Sequence, residues 1–115
     1  ILTGGFFLKG ENTLYGEFAL KTLDNLRVKK AIIFPSSISL KCGIMGSLPE
    51  FVELQRKMIE ISDEVYIIAD SSKIEKSSLI KTAALNPKYH YIVDSSVSEE
   101  VKQIYENNDI HLITK

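Results

Sequence analysis

The sequence predicts an α/β fold, a mostly parallel sheet flanked by helices, and three observations support this fold class. Short apolar runs alternate along the chain with stretches of helical periodicity, as in α/β architectures. The length of 115 residues corresponds to a single domain over residues 1–115. Hydrophobic residues make up 44% and charged residues 25% of the chain, which is the balance of an ordinary globular protein.

Four apolar runs of strand length predict the parallel strands. They are nearly continuous, as expected for strands that are covered on both faces of a sheet. The runs are residues 31–34, 65–69, 91–93 and 110–113. A fifth candidate strand is split by the glycine pair Gly4 and Gly5 into residues 1–3 and 6–8.

Three stretches with apolar residues at helical spacing predict helices over residues 16–26, 49–62 and 97–107. Ser47 lies three residues before Glu50, which is the spacing of a capping box, and Pro49 suits a first helical turn. Ser96 and Glu99 have the same spacing at the start of the last helix. Gly43 and Gly46 predict a mobile loop before the second helix, or a simple turn.

Charge and cysteine content exclude several classes of function. Lys and Arg number 14 against 15 Asp and Glu, so this segment lacks the basic charge of a dedicated nucleic-acid binder. Cys42 is the only cysteine, which excludes an intrachain disulfide and fits a reducing compartment, so we expect a cytoplasmic protein. His90 and His111 have no neighbours at ligand spacing, and we expect neither a metal nor a cofactor. The chain starts with Ile1, and we interpret it as a piece of a longer protein.

Polar residues that follow the predicted strands are the candidates for ligand binding, because open parallel sheets bind ligands at the carboxyl ends of their strands. The segment Asp70-Ser71-Ser72-Lys73 offers a carboxylate, two hydroxyls and an ammonium, the mixture that a sugar phosphate requires. The alternative is an Asx or Ser/Thr turn with a solvated Lys73. Ser36, Ser37 and Ser39 could present hydroxyls and backbone N–H groups to a phosphate or carbonyl, or serve only as turn residues.

These clusters, in order and spacing, resemble the C-terminal effector-binding (sensor) domain of DeoR-type transcriptional regulators. The resemblance covers nearly all of the chain, and its most specific part is the Asp-Ser-Ser-Lys element. The matching positions are Gly4-Gly5, Gly16, Ser36-Ser37, Ile38-Ser39 with Gly43, Glu50, Arg56, Met58-Ile59, Ala69 to Lys73, and Ile92-Val93-Asp94. Pro35-Ser36-Ser37 and Gln55 depart from the residues that are usual in the family.

The resemblance implies the fold of ribose-phosphate isomerases and CoA transferases, here N-terminally truncated, because the family has an upstream β-α-β portion. It implies a non-enzymatic domain that binds a phosphorylated sugar or related metabolite and modulates DNA binding by an N-terminal helix-turn-helix outside this chain. We expect a repressor of sugar metabolism or uptake genes that forms homo-oligomers and does not contact a membrane. The expected ligand-binding residues are Gly4, Gly5, Ser36, Ser37, Gly43, Asp70, Ser72 and Lys73.

Two other functions remain open from the residues themselves. An active sugar-phosphate isomerase of the same fold could use Asp70 or Asp94 as general base and Lys73 to stabilise an enediolate. A phosphoacceptor receiver domain with Asp70 as its acceptor is disfavoured, because no pair of acids ends the first strand to hold Mg²⁺.

Overall fold

The computed structural model describes residues 1–114, which contain nine strands and three α-helices. In chain order, the strands are β1 (Phe6–Leu8), β2 (Thr13–Tyr15), β3 (Val28–Ile33), β4 (Ser37–Ser39), β5 (Gly43–Gly46), β6 (Ser62–Ala69), β7 (Ile80–Ala83), β8 (His90–Val93) and β9 (Leu112–Thr114). The helices are α1 (Glu17–Asp24), α2 (Pro49–Glu60) and α3 (Glu99–Glu106).

Four parallel strands form the central sheet in the order β3-β6-β8-β9. Each overlaps one of the four apolar runs, although residue 34 lies beyond β3 and residues 110–111 precede β9, so the predicted α/β class and parallel sheet are confirmed. The predicted helices are also present, though each is shorter than its apolar pattern. Parallel strands need long crossover connections, and the three helices lie in the connections that lead to β3, β6 and β9.

A second sheet, antiparallel in the order β4-β5-β7, was not predicted from the sequence. The prediction of a mobile loop around Gly43 and Gly46 is wrong, because both glycines lie in the buried strand β5. β5 pairs with β4 on one side and with β7 on the other, so its backbone groups are satisfied by neighbouring strands. Ile38 and Ile44 from this sheet are fully buried in the main core.

The split first strand is also different from its prediction. Residues 1–3 form no strand, and β1 pairs with β2 as a separate antiparallel hairpin rather than joining the parallel sheet. Gly4 and Gly5 therefore precede a strand instead of following one. Gly5 has φ 101°, and a Cβ there would lie 2.4 Å from the carbonyl oxygen of Tyr15, so the close approach of the hairpin backbone requires glycine.

Both predicted capping boxes are wrong by one or two residues. Leu48 is the N-cap of α2, and its apolar side chain has no atom that could accept a capping hydrogen bond. Ser98, not Ser96, caps α3, and its hydroxyl accepts a hydrogen bond from the backbone N–H of Val101 at 3.2 Å.

The two faces of the parallel sheet differ strongly in burial. Side chains alternate along a strand, and one set forms the core, with Ile33, Ile67, Tyr91 and Leu112 in register across all four strands. The other set, here called the open face, is half-buried or exposed. It comprises Ile32, Tyr66, Ile68, Ile92 and Ile113. The expectation that both faces are covered is therefore wrong for residues 1–114.

Candidate functional site

Asp70 follows β6 at the carboxyl edge of the sheet and starts a short 3-10 turn over Ser71–Lys73. Its Oδ1 accepts a hydrogen bond from the backbone N–H of Ser72 at 2.9 Å and another from the hydroxyl of Ser72. The structure therefore contains the Asx-type turn that was the alternative interpretation of this segment. The hydrogen bonds within residues 1–114 leave Oδ2 of Asp70 without a partner.

Asp94 follows β8, the next strand of the sheet, and its carboxylate binds the Asp70 turn. Oδ1 accepts from the backbone N–H of Ser71 at 2.6 Å, and Oδ2 accepts from the Ser71 hydroxyl at 3.4 Å. Partial desolvation raises the pKa of Asp94, but hydrogen bonds from the Ser71 amide and from the hydroxyls of Ser96 and Ser71 outweigh it. The net effect holds the pKa of this carboxyl below its usual value.

Lys73 ends the turn, and its side chain is half-buried. Its backbone N–H donates to the carbonyl of Asp70 at 3.0 Å, which fixes the backbone of the turn. Within residues 1–114, Lys73 takes part in no ion pair, whereas the other half-buried lysines, Lys57 and Lys102, each bind a carboxylate. Its ammonium is therefore available to an external anion.

The serines after β3 have separate environments. Ser37 is the first residue of β4 and is fully buried, and its hydroxyl lies 2.7 Å from that of Ser78. Ser36 is exposed, and its backbone N–H donates to the carbonyl of Met45 at 2.9 Å. Pairing with β5 draws Ser37 into the second sheet, away from the exposed position of Ser36, and a contact of either serine with a ligand stays a prediction.

The turn with Lys73 lies against β4. Ile74 pairs with Ile38 in an isolated parallel bridge, and the Ser37–Ser78 contact lies on the same stretch of chain. The structure thus brings Asp70, Ser72 and Lys73 together and places the strand of Ser37 beside them.

Contacts within the protein account for the candidates Gly5 and Gly43, but not for Gly4. Gly43 has φ 81°, and a Cβ there would lie 2.7 Å from the carbonyl oxygen of Ala83, so close packing of β5 on β7 requires glycine. Gly4 also has a positive φ, of 73°, but open space surrounds it. Neither glycine is in the turn that contains Lys73.

A cavity of about 270 Å³ lies at the carboxyl end of β3, between the start of α2 and the turn of the β1–β2 hairpin. Its lining residues are Glu11, Phe34, Ser36, Gly46, Ser47, Leu48, Phe51, Val52 and Gln55. Ser36 is the one candidate residue in this lining, so the structure does not bring Asp70, Ser72 and Lys73 into the cavity. Pockets for drug-sized ligands start at about 300 Å³, and this cavity is slightly smaller.

Sequence reasoning missed three polar residues of this cavity: Glu11, Ser47 and Gln55. The amide nitrogen of Gln55 donates to the carbonyl of Phe34 at 3.2 Å, which ties α2 to the end of β3. The departure of Gln55 from the family pattern was the one available signal. Glu11 lies on the hairpin turn, and no local pattern connects that turn with α2.

Residues 1–114 contain neither a metal-binding cluster nor a membrane-spanning helix. No group of three or more His, Cys, Asp or Glu side chains in this part of the chain has an arrangement that could hold a metal ion. No helix in the same range has both the length and the apolar character needed to cross a membrane.

Comparisons with known proteins identify the family. The family model described as the DeoR C terminal sensor domain matches residues 1–95. The chain is 32% identical over 110 residues to the L-fucose operon activator of Haemophilus influenzae, covering 96% of this chain and 44% of that protein. It is 30% identical over 112 residues to the HTH-type transcriptional repressor GlcR of Bacillus subtilis, covering 97% of this chain and 43% of that protein.

A third relative is the putative aga operon transcriptional repressor of Escherichia coli O157:H7. It is 27% identical over 97 residues, which cover 84% of this chain and 36% of that protein. The chain thus spans less than half the length of the curated relatives it matches. These matches confirm the resemblance seen in the sequence: the chain belongs to the family of DeoR C-terminal sensor domains.

Proposed function

We propose that this sensor domain binds a phosphorylated sugar or a related metabolite at the carboxyl edge of its parallel sheet. The observation that carries the proposal is the half-buried Lys73, which takes part in no ion pair within residues 1–114. Its ammonium would bind the phosphate, Oδ2 of Asp70 would accept a sugar hydroxyl, and Ser72 would complete this part of the site.

The names of the relatives support a ligand of this class. One is called an L-fucose operon activator and another a putative aga operon transcriptional repressor. We propose that this chain likewise senses a metabolite for genes of carbohydrate metabolism or uptake. Because the relatives include an activator as well as repressors, the direction of regulation is a separate question from ligand binding.

We propose that binding occurs without turnover. Both carboxylate oxygens of Asp94 accept hydrogen bonds from Ser71, which makes this group a poor general base. The relatives are transcriptional regulators, which also disfavours an isomerase. Coupled assays across aldose and ketose phosphates should detect no interconversion, and measurable turnover would contradict this proposal.

The regulatory mechanism would be a shift of population between two states. A metabolite that binds the DNA-competent and DNA-incompetent states with different affinity changes their ratio, whereas one that binds both equally changes nothing.

We propose that the DNA-binding part, an N-terminal helix-turn-helix, belongs to the longer protein. Further sensor-domain polypeptide in that protein would cover the open face. We also propose a cytoplasmic homo-oligomer. Sedimentation of the longer protein would test its oligomeric state.

Binding itself can be tested by replacing one cation. Lys73→Ala should weaken binding of the metabolite by about 1.5 to 3 kcal/mol, or roughly 10- to 150-fold, the range for a hydrogen bond to a charged group. Lys76→Ala is the matched control, because Lys76 is exposed on the same stretch of chain. A thermal-shift screen with hexose and pentose phosphates would select the ligand, and calorimetry would give its affinity. Equal affinities in the Lys73 variant and the wild type would contradict the proposed role of Lys73.

A further inference from the structure

Glu75 lies two residues beyond the Ser71–Lys73 turn in an unusual backbone conformation. Its φ of 56° is in the left-handed region, which residues with a Cβ rarely adopt. It directly follows Ile74, the residue that pairs with Ile38 of β4. A backbone of this kind persists only where surrounding contacts outweigh its cost, so the partners of Glu75 must hold it in place.

Three hydrogen bonds join Glu75 to two other elements. Its backbone N–H donates to the carbonyl of Ile38 at 2.7 Å. Its Oε2 accepts from the backbone N–H of Leu40 at 3.0 Å and from the hydroxyl of Tyr105 at 2.5 Å. Leu40 follows β4 and Tyr105 belongs to α3, so one carboxylate connects the turn to both elements.

Tyr105 is a rigid anchor for this carboxylate. Its side chain is fully buried in the main core, where rotamers are fixed by close packing. Burial raises the pKa of the Tyr105 phenol, and the hydrogen bond to Glu75 with its negative charge raises it further. The phenol is therefore a protonated hydrogen-bond donor throughout the neutral range, and it fixes the position of the Glu75 carboxylate relative to the core.

We infer that Glu75 is a positioning residue for Lys73. The turn is bound to β8 at its start through the contact of Ser71 with Asp94, and at its end through Glu75. Lys73 lies between these two attachments. Loss of the Glu75 carboxylate would leave the end of the turn held only by the backbone contacts of Ile74 and Glu75 with Ile38, so the segment that carries the Lys73 side chain would be held less firmly. The inference rests on the proposed function only in taking an anionic ligand as the partner of Lys73.

Glu75→Ala and Glu75→Gln form a matched pair for the test. Both keep a Cβ at the same backbone φ, but only glutamine keeps an oxygen that can accept from Leu40 and Tyr105. Amide hydrogen exchange in the ¹⁵N-labelled chain would be followed at Lys73 and Ile74, with Ile67 in β6 as internal reference. We expect Glu75→Ala to speed exchange at the turn, relative to Ile67, by about tenfold or more, and Glu75→Gln to restore most of the protection.

Titration with inorganic phosphate, followed at the Lys73 amide resonance, tests the connection with binding. Glu75→Ala should weaken the apparent affinity by about fivefold or more through loss of preorganisation, and Glu75→Gln should recover it. Unchanged phosphate affinity in a Glu75→Ala chain whose turn exchanges faster would overturn the inference. Equal acceleration at Ile67 would also overturn it, since Glu75 would then only stabilise the fold.

Tyr105→Phe provides a second variant should Glu75→Ala fail to fold, because it removes a single hydroxyl. It should speed exchange at Lys73 relative to Ile67, and unchanged exchange would count against the inference.

The proposed function and the role of Glu75 can fail separately. A wild-type chain that binds neither phosphate nor any sugar phosphate contradicts the proposed function, whereas the exchange measurements still decide the role of Glu75.

Discussion

Ser71 and Asp94 join the carboxyl ends of two adjacent parallel strands, with the Ser71 backbone N–H 2.6 Å and its hydroxyl 3.4 Å from the Asp94 carboxylate oxygens. The contact holds the turn with Lys73 against the end of β8. Because the hydrogen bonds favour the charged carboxylate, the pKa of Asp94 is lowered despite partial desolvation. The position of the turn with Lys73 therefore depends on the protonation state of Asp94.

Asp94→Asn should reduce the dependence of stability on acidic pH. A group with a lowered folded-state pKa stabilises the protein above its unfolded pKa, here 3.8, and that stability is lost as pH falls through the folded value. Urea unfolding from pH 6 to pH 2.5 would measure the effect. The variant should lose stability less steeply than the wild type in the acid range, and parallel profiles would show that Asp94 makes no such contribution.

Tyr91→Phe should destabilise the domain and flatten its alkaline stability profile. The fully buried Tyr91 hydroxyl accepts from the Asn86 N–H at 2.9 Å and donates to the Asn86 carbonyl at 3.1 Å. Its loss leaves the Asn86 N–H without a partner, whereas the Asn86 carbonyl still accepts from the Tyr89 N–H at 3.0 Å, and we expect a cost of about 1 to 3 kcal/mol.

The alkaline effect has a definite sign. Burial raises the pKa of Tyr91 to about 12, from 10.0 in the unfolded chain. The folded state therefore keeps a proton that the unfolded state releases, so the contribution is complete below pH 10.0 and declines as pH rises toward 12. Urea unfolding between pH 9 and pH 11.5 would measure it. If the free energy of unfolding falls with rising pH as steeply in the variant as in the wild type, groups other than Tyr91 cause the alkaline loss of stability.

The main sheet was predictable because its signal is local. Each of the four strands has an apolar run whose length and continuity are typical of parallel strands, and polar residues such as Asp70 follow the strand end. The second sheet gives no such signal. β4 and β5 have three and four residues and consist largely of serine and glycine, so pairing with neighbours rather than propensity determines their structure.

The candidate site was predictable only in part, for the same reason. Asp70, Ser72 and Lys73 are adjacent in the sequence, and their common position at a strand end follows from the chain itself. The contacts that hold these residues cannot be predicted in the same way. Asp94 is 23 residues from Ser71 in the sequence, and Tyr105 is 30 residues from Glu75. The periodicity of a single sequence does not predict contacts between residues that are so far apart in the chain.

Gly43→Ala should destabilise the domain because of β5 packing. At φ 81° a Cβ is strained, and it would meet the carbonyl oxygen of Ala83 at 2.7 Å. We expect a loss of about 1 to 3 kcal/mol, the range for a residue forced into a sparsely populated conformation. Gly10→Ala is the control, because a Cβ there has no neighbour within 4 Å and its φ is not positive. Equal unfolding midpoints in urea would show that β5 shifts to accept the methyl group.

Thr82→Val should stabilise the domain, unlike most substitutions in a core. Thr82 is buried in β7, and its Oγ1 has no hydrogen-bond partner within residues 1–114. Valine has nearly the same shape and removes a hydroxyl whose desolvation is not compensated, so the free energy of unfolding should rise by roughly 1 kcal/mol. Urea unfolding at neutral pH would measure this.

Two controls distinguish the effect of the Thr82 hydroxyl on stability from the effect of its methyl group and from the effect of a buried hydroxyl that has a partner. Thr82→Ser keeps the hydroxyl and removes only the methyl, so it should lower stability by about 1 kcal/mol. Ser37→Ala removes a buried hydroxyl that does have a partner, Ser78 at 2.7 Å, and should lower stability by a similar amount, about 1 kcal/mol. A Thr82→Val variant less stable than the wild type would mean that Oγ1 has a partner in solution, such as an ordered water, because only a satisfied hydroxyl is costly to remove.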